Sequence, residues 1–283
     1  MVHNLYYSPD YCAASHAFDT TRKASWIADS LRARPVAGVR LVEPIPVSVE
    51  TLCETHTSEY VDAVRYGDPG SLACSQGFAW CERLFDSVAA STGGIVAAAI
   101  DAIASGIAGS LSSGLHHARH EAGLGFCTFN GLVIAAREAI KAGCERVLIL
   151  DLDAHGGGGT ESLISDQVRI LHLDIATDIF DLHEGTVLVR NREDYLPALF
   201  SELQGISQKP DLILYNAGMD VHEGDCGCLD NQSIAARESS VFQWASDSKI
   251  PIAYTMAGGY SQRPLLVGLH RATVRAAAHF FVS

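Results

Sequence analysis

Asp151, Asp153 and His155 occupy alternate positions at the end of the apolar run "VLILDLDAH", residues 147–155. Residues two apart in an extended strand point to the same side, so this spacing aims two carboxylates and an imidazole one way. Asp220 closes a second apolar run, "DLILYNAGMD" (211–220), and Tyr260 closes a third, "IPIAYTMAGGY" (250–260). Asp153, His155 and Asp220 together offer oxygen, nitrogen and oxygen, a set that leaves a divalent ion one open position, as catalytic zinc requires. The adjacent imidazoles His116 and His117 in "GLHHARHEAGLGFCTFN" (114–130) suit acid and base work beside such an ion. One would take a proton from water and the other give one to a leaving amine. Each feature also has a plainer reading, because Asp-x-Asp-x-His at a strand end serves equally as a hydrogen-bonded turn. What favours a site is that separate polar groups arrive at several strand ends, where ligands of open parallel sheets bind.

The elements that must position these groups follow from periodicity. A continuous apolar run at 146–153 predicts a parallel strand covered on both faces, and "VRILHLD" (168–174), 211–220 and 250–260 read as further strands. Helical patterns fall at 129–143, 192–206 despite Pro197, 231–249, and 263–282 with Pro264 in the first turn. Strands alternating with helices predict one α/β domain over residues 1–283, a three-layer α/β/α arrangement with a mostly parallel central sheet. The N-terminal half predicts helices at 22–33, 57–65, 82–92 and 93–106, and a short strand within "GVRLVEP" (38–44). The small-residue run 88–109 is long enough to raise a membrane span, but Asp101 and its glycines favour a buried core helix.

Composition narrows the function classes. With 283 residues, 48% of them hydrophobic and 19% charged, the chain can bury a large core. A formal charge of -13 without any block of Lys or Arg argues against nonspecific nucleic-acid binding and against acidic membrane surfaces. Eight scattered cysteines read as reduced thiols of a cytoplasmic protein. Cys226-Gly-Cys228 lacks the second pair that a zinc ribbon needs, so it reads as a loop coincidence.

The set "HHARHEAGLGFCTFN", "DLDAH", "NAGMD" and "AGGY", in this order and preceded by "ETHTSEYVDAV" (54–64), resembles the zinc-dependent histone deacetylase family of the arginase/deacetylase superfamily. The likeness spans essentially the whole chain and is nearest to compact bacterial or class IV members. It implies the arginase/deacetylase fold, with one zinc ion (Zn2+) held by Asp153, His155 and Asp220. His116 and His117 would be the catalytic pair, with Asp151 orienting His116 and Tyr260 donating a hydrogen bond to the polarised carbonyl. Gly125 and Phe126 would line an acyl-lysine tunnel, and Gly258 would also border the substrate. The implied substrate is an acylated lysine peptide or a small acylated amine such as a polyamine. A potassium ion (K+) near Asp151, Asp153 and His155, and a homo-oligomer, are further expectations.

The departures from the family pattern carry their own expectations. Relatives commonly place a second histidine and then an aspartate or asparagine where this chain has Gly156 and Gly158. His117 is therefore expected to lack its acidic partner and to be less basic. Leu115 replaces a glycine and would narrow the site mouth, and His172 stands where relatives often use serine near potassium. Two alternatives stay open: a weakly catalytic zinc-dependent binder of acyl-amine or zinc-chelating molecules, and an arginase-like ureohydrolase. The second would need an aspartate where Gly157 stands.

Overall fold

A computed structural model of the chain describes residues 2–14 and 19–282. In chain order come β1 (His3–Tyr6), two single 3-10 turns, α1 (Lys23–Ala33), β2 (Val39–Val42), α2 (Val49–Cys53), α3 (Ser58–Tyr66), α4 (Gly70–Ala73), α5 (Leu84–Ser105) and β3 (Ile107–Ser110). Then follow α6 (Gly131–Lys141), β4 (Val147–Asp151), α7 (Gly158–Ile164), β5 (Ile170–Ala176), β6 (Val187–Leu188), α8 (Arg192–Gly205), β7 (Leu212–Asn216), α9 (Asn231–Asp247), β8 (Ile252–Thr255) and α10 (Arg263–Phe281). The eight strands form one sheet in the order β2-β1-β3-β8-β7-β4-β5-β6. Every strand pairing is parallel.

The three layers can be read from the alternation within β4 and β7. Leu148, Leu150, Ile213 and Tyr215 join one core with Ile27, Leu199, Phe242 and Val274 of α1, α8, α9 and α10. Val147, Ile149, Leu212 and Leu214 join a second core with Ile95, Val133 and Leu163 of α5, α6 and α7. Both strands are buried along their whole length, as their unbroken apolar character requires.

Two expectations need correction. The helices expected at 82–92 and 93–106 are one helix, α5. Its Gly93 and Gly94 do not interrupt it but admit close neighbours, since a Cβ would lie 2.2 Å from the Ile45 carbonyl oxygen at Gly93 and 1.7 Å from the Tyr11 hydroxyl at Gly94. By length and composition α5 would suit a membrane span, yet Ile95, Ala98, Ala99 and Ala102 lie in the core. The last residues of the small-residue run belong instead to β3, and neither β3 nor β1 announces itself in the sequence. The second correction is that β4 ends at Asp151, so Asp153 and His155 sit in the turn beyond it rather than in the strand.

Candidate active site

Polar groups collect where β4, β5, β7 and β8 end. The register sets Asp151 beside Asp174 of β5 and Asn216 of β7. Asn216 Nδ2 donates to Asp151 Oδ1 at 2.8 Å, which fixes a fully buried carboxylate. Past the strand end, His155 Nδ1 faces Asp153 Oδ1 at 3.1 Å and Asp220 Oδ2 at 3.3 Å. Asp220 Oδ1 accepts from the Ala154 backbone at 3.0 Å, whereas Oδ2 is buried with no hydrogen-bond partner among the described residues. Burial and the neighbouring Asp153 charge push the Asp220 carboxyl above its usual range. Two buried carboxylates and an imidazole converging with one oxygen unsatisfied is a donor set that fits a divalent cation with an open position.

Cys226, set aside as part of a loop coincidence, reaches this centre without Cys228. Its Sγ lies 3.6 Å from His155 Nε2, and His155, Asp220 and Cys226 have donor atoms within 4.8 Å of one another. All eight cysteines are free thiols.

The histidine pair lies beside these residues, both rings buried. His116 Nδ1 donates to Asp151 Oδ2 at 2.7 Å, and His116 Nε2 lies 3.1 Å from His117 Nε2. Burial alone would lower the pKa of His116, but the charges of Asp151 and Asp153 outweigh it and raise it to about 10. His117 is lowered to about 4, first by burial and then by the charge of His116.

The expectation that His117 lacks an acidic partner is corrected by Asp181, in the loop between β5 and β6. His117 Nδ1 donates to Asp181 Oδ2 at 2.9 Å. Glycines are required opposite because that loop lies on the turn. A Cβ at Gly158 would meet Asp181 Oδ1 at 2.6 Å, and one at Gly156 would meet the Asp181 carbonyl oxygen at 2.5 Å. What holds the His117 pKa low is burial and the charge of His116, not a missing anion. No motif marks Asp181, which falls in the irregular stretch "TDIFDLHEG".

A cavity of about 180 Å³ opens from these groups and is lined by Leu115, Gly125, Phe126, Gly258 and Tyr260 among others. Gly125 has φ +52, and a Cβ there would lie 2.6 Å from His117 Cδ2. Gly258 has φ +46, and its Cβ would lie 2.3 Å from Asp220 Oδ1 and 2.6 Å from Asp153 Oδ2. Leu115 and Phe126 hold the left-handed conformation without being glycine, at φ 59 and 64. Phe180 stands edge-on to His117, ring centroids 5.0 Å apart and planes at 89°, and forms another wall beside the site. Tyr260 is 44% exposed. Its backbone N–H is held by Asp225 Oδ2 at 2.7 Å. Burial and the charges of Asp220 and Asp153 push its phenol pKa up, so it stays a hydrogen-bond donor.

Sequence reasoning also missed Lys23, a buried ammonium at the start of α1 whose Nζ donates to the Gly258 carbonyl at 2.5 Å. Burial lowers its pKa to about 8 despite Asp220 and Asp153.

The potassium expectation meets a different donor set. Asp151, His172 and Asp174 each have a donor within 4.8 Å of the others, and His172 Nε2 and Asp174 Oδ1 are buried without partners among the described residues. Imidazole nitrogen suits transition ions rather than hard ions. His183 Nε2, 3.0 Å from Asp174 Oδ2, is raised in pKa by that contact and brings positive charge to the same carboxylate. The side chains of Asp151, His172 and Asp174 do not fit potassium; the potassium expected at Asp151, Asp153 and His155 with neighbouring carbonyls concerns a separate donor set.

Residues 16–186, more than half of the chain, match the family described as Histone deacetylase domain. Histone deacetylase 2 of Arabidopsis thaliana is 29% identical over 244 residues, covering 78% of this chain and 63% of that protein, so this chain spans under two thirds of its length. A probable deacetylase of Methanothermobacter thermautotrophicus is 26% identical over 262 residues, 80% of this chain and 76% of the relative. The solved HDA15 HD domain superposes with a TM-score of 0.82 at 20% identity, over 100% of this chain and 91% of that one. Acetylpolyamine aminohydrolase from Burkholderia pseudomallei gives 0.81 at 16% identity, over 98% and 99%. At those identities the two structures speak for the fold, an α/β/α deacetylase fold, and the sequence match speaks for the lineage: the chain belongs to the histone deacetylase family.

Proposed function

We propose that this chain is a zinc-dependent amide hydrolase that removes an acyl group from an amine, either a lysine side chain or a small acylated amine such as a polyamine. The observation that carries the reading is the meeting of Asp153, His155 and Asp220 around one unsatisfied buried oxygen, beside the paired imidazoles of His116 and His117. These three residues would hold the ion, which when bound would supply Lewis acidity toward the acyl carbonyl.

The chain's own groups divide the remaining work. Neutral His117, its Nδ1 proton engaged by Asp181, presents Nε2 as the base that takes the proton of the attacking water. His116, charged beside Asp151, holds a proton for the departing amine. The Tyr260 hydroxyl is the donor for the acyl oxygen as negative charge develops, an interaction worth about 3 to 4 kcal/mol in comparable sites. Gly125, Phe126 and Phe180 would exclude water from the reacting amide.

The test is turnover of acetyl-lysine peptides, acetylated polyamines and longer acyl chains by zinc-loaded protein, with metal content measured in parallel. Hydrolysis that is lost on chelation and restored by zinc supports the reading. Tight hydroxamate binding with no turnover of any acyl amide would leave the binder alternative standing instead. Two manganese ions per chain would point to ureohydrolase chemistry.

A further inference from the structure

We propose that Asp181 is the positioning residue of His117, delivered from the β5–β6 loop in place of the partner that the four-glycine turn after His155 does not provide. The inference rests on the amide-hydrolase reading for its catalytic consequence, but its geometry stands by itself.

Asp181 is held for this task from several directions. Oδ2 accepts from His117 Nδ1 at 2.9 Å and from the Gly159 backbone at 3.2 Å, while Oδ1 takes a charged hydrogen bond from Arg119. Its carbonyl oxygen accepts from Gly158 N at 3.0 Å, and Arg119 Nη1 donates to Gly158 O at 2.9 Å. The side chain is only 6% exposed. The backbone at Asp181 is left-handed, φ 55, a conformation a non-glycine residue keeps only where its surroundings enforce it.

Turn and loop exclude each other's side chains. With Asp181 in place, a Cβ at Gly158 would collide with its carboxylate at 2.6 Å, so one carboxylate, not two, can serve His117. The consequence for the base is a fixed tautomer. A carboxylate accepting from Nδ1–H keeps the proton on that nitrogen and leaves Nε2 unprotonated, 3.1 Å from His116 Nε2. Phe180, the preceding residue, stands edge-on to the same ring at 5.0 Å, so one loop supplies both the carboxylate and a ring against His117.

A plainer role for Asp181 would be to anchor the loop through Arg119 alone, and the experiment separates the two. Asp181→Asn and Asp181→Ala are compared with wild type for kcat, KM, zinc content and melting temperature on an acylated amine that the protein hydrolyses. The Nδ1–H proton of His117 is followed by 15N-edited NMR, assigned by its loss in His117→Gln. Expected is a fall in kcat of about 10- to 100-fold for the alanine variant, smaller for asparagine, which still accepts a hydrogen bond, with KM and zinc content little changed. The slowly exchanging Nδ1–H signal should shift in the asparagine variant and vanish in the alanine variant. An unchanged Nδ1–H signal in Asp181→Ala would overturn the proposal, as would a kcat loss matched by loss of zinc or folded protein. If wild type hydrolyses no acylated amine the functional reading fails, and the NMR arm still decides on Asp181.

Discussion

His116 and His117 point their Nε2 atoms at each other across 3.1 Å while their Nδ1 atoms turn outward, one to Asp151 at 2.7 Å and the other to Asp181 at 2.9 Å. With both outer nitrogens donating, the inner pair has room for one proton. The two neighbours in sequence are thereby made unequal: against burial, the charges of Asp151 and Asp153 push the His116 pKa up, while burial and the charge of His116 push that of His117 down.

Replacing His117 by alanine should therefore lower kcat on an acyl amine by about 10²- to 10⁴-fold, the usual contribution of a general base. Zinc content should stay at the wild-type level, because His117 is not among the proposed ligands. A surviving rate in metal-replete His117→Ala would mean that another group is the base.

Tyr260→Phe keeps the ring and its backbone anchor on Asp225 but loses the hydroxyl. The expected result is a kcat reduced by about 10²- to 10³-fold with a KM close to wild type, since the oxygen it serves becomes charged only in the transition state. Rates indistinguishable from wild type would remove Tyr260 from the oxyanion role.

Stability should fall with acid before the carboxylates titrate. His56 donates from Nδ1 to the Arg119 carbonyl at 2.8 Å and accepts on Nε2 from the Asn130 backbone at 3.0 Å, so the fold admits only its neutral form. Burial lowers His56 and His3 from 6.5 to about 4. Because the folded pKa is the depressed one, the unfolded chain takes up protons that the fold refuses. The stability is complete above pH 6.5 and lost as pH drops toward 4, at about 3 kcal/mol per histidine. Urea midpoints measured across this window should decline, and His56→Gln should flatten the decline. An equally steep slope in that variant would refute the assignment.

Gly94→Ala should destabilise the protein by about 1 to 3 kcal/mol, the range for overpacking a tight core. The added methyl would lie 1.7 Å from the Tyr11 hydroxyl. Tyr11→Phe removes that hydroxyl along with its hydrogen bond to Ser110, and should recover part of the loss when combined with Gly94→Ala. Additive destabilisation in the double variant would show that the contact is not the cause.

Much of this molecule is written locally. Asp151, Asp153 and His155 could be placed because the apolar strand β4 runs up to Asp151, and the flanking helices α6 and α9 carry their own periodicity and side-chain caps, with α10 opened by Pro264. Asp181 could not, because what makes it matter is the absence of a side chain at Gly158, a contact between loops that no local pattern encodes. Lys23 is a similar case, an ordinary helix-start residue until the fold buries it against Gly258. The helix split expected at residue 92 is not found because the glycines that weaken a helix in isolation are here needed for the close approach of Tyr11 and Ile45.

The placement of β8 has a consequence for how the molecule comes into being. Among the described residues it is the last strand in the chain, yet it lies between β3 and β7 and is the strand through which the group β2-β1-β3 pairs with the group β7-β4-β5-β6. Residues 252–255 must therefore be in place before the two groups share one sheet, a long-range pairing of the kind that folds slowly. Gly258 and Tyr260 arrive with that strand. A chain that stops short of β8 therefore carries all three proposed ligands and both histidines but neither a closed sheet nor Gly258 and Tyr260, so the site is finished only when the sheet is.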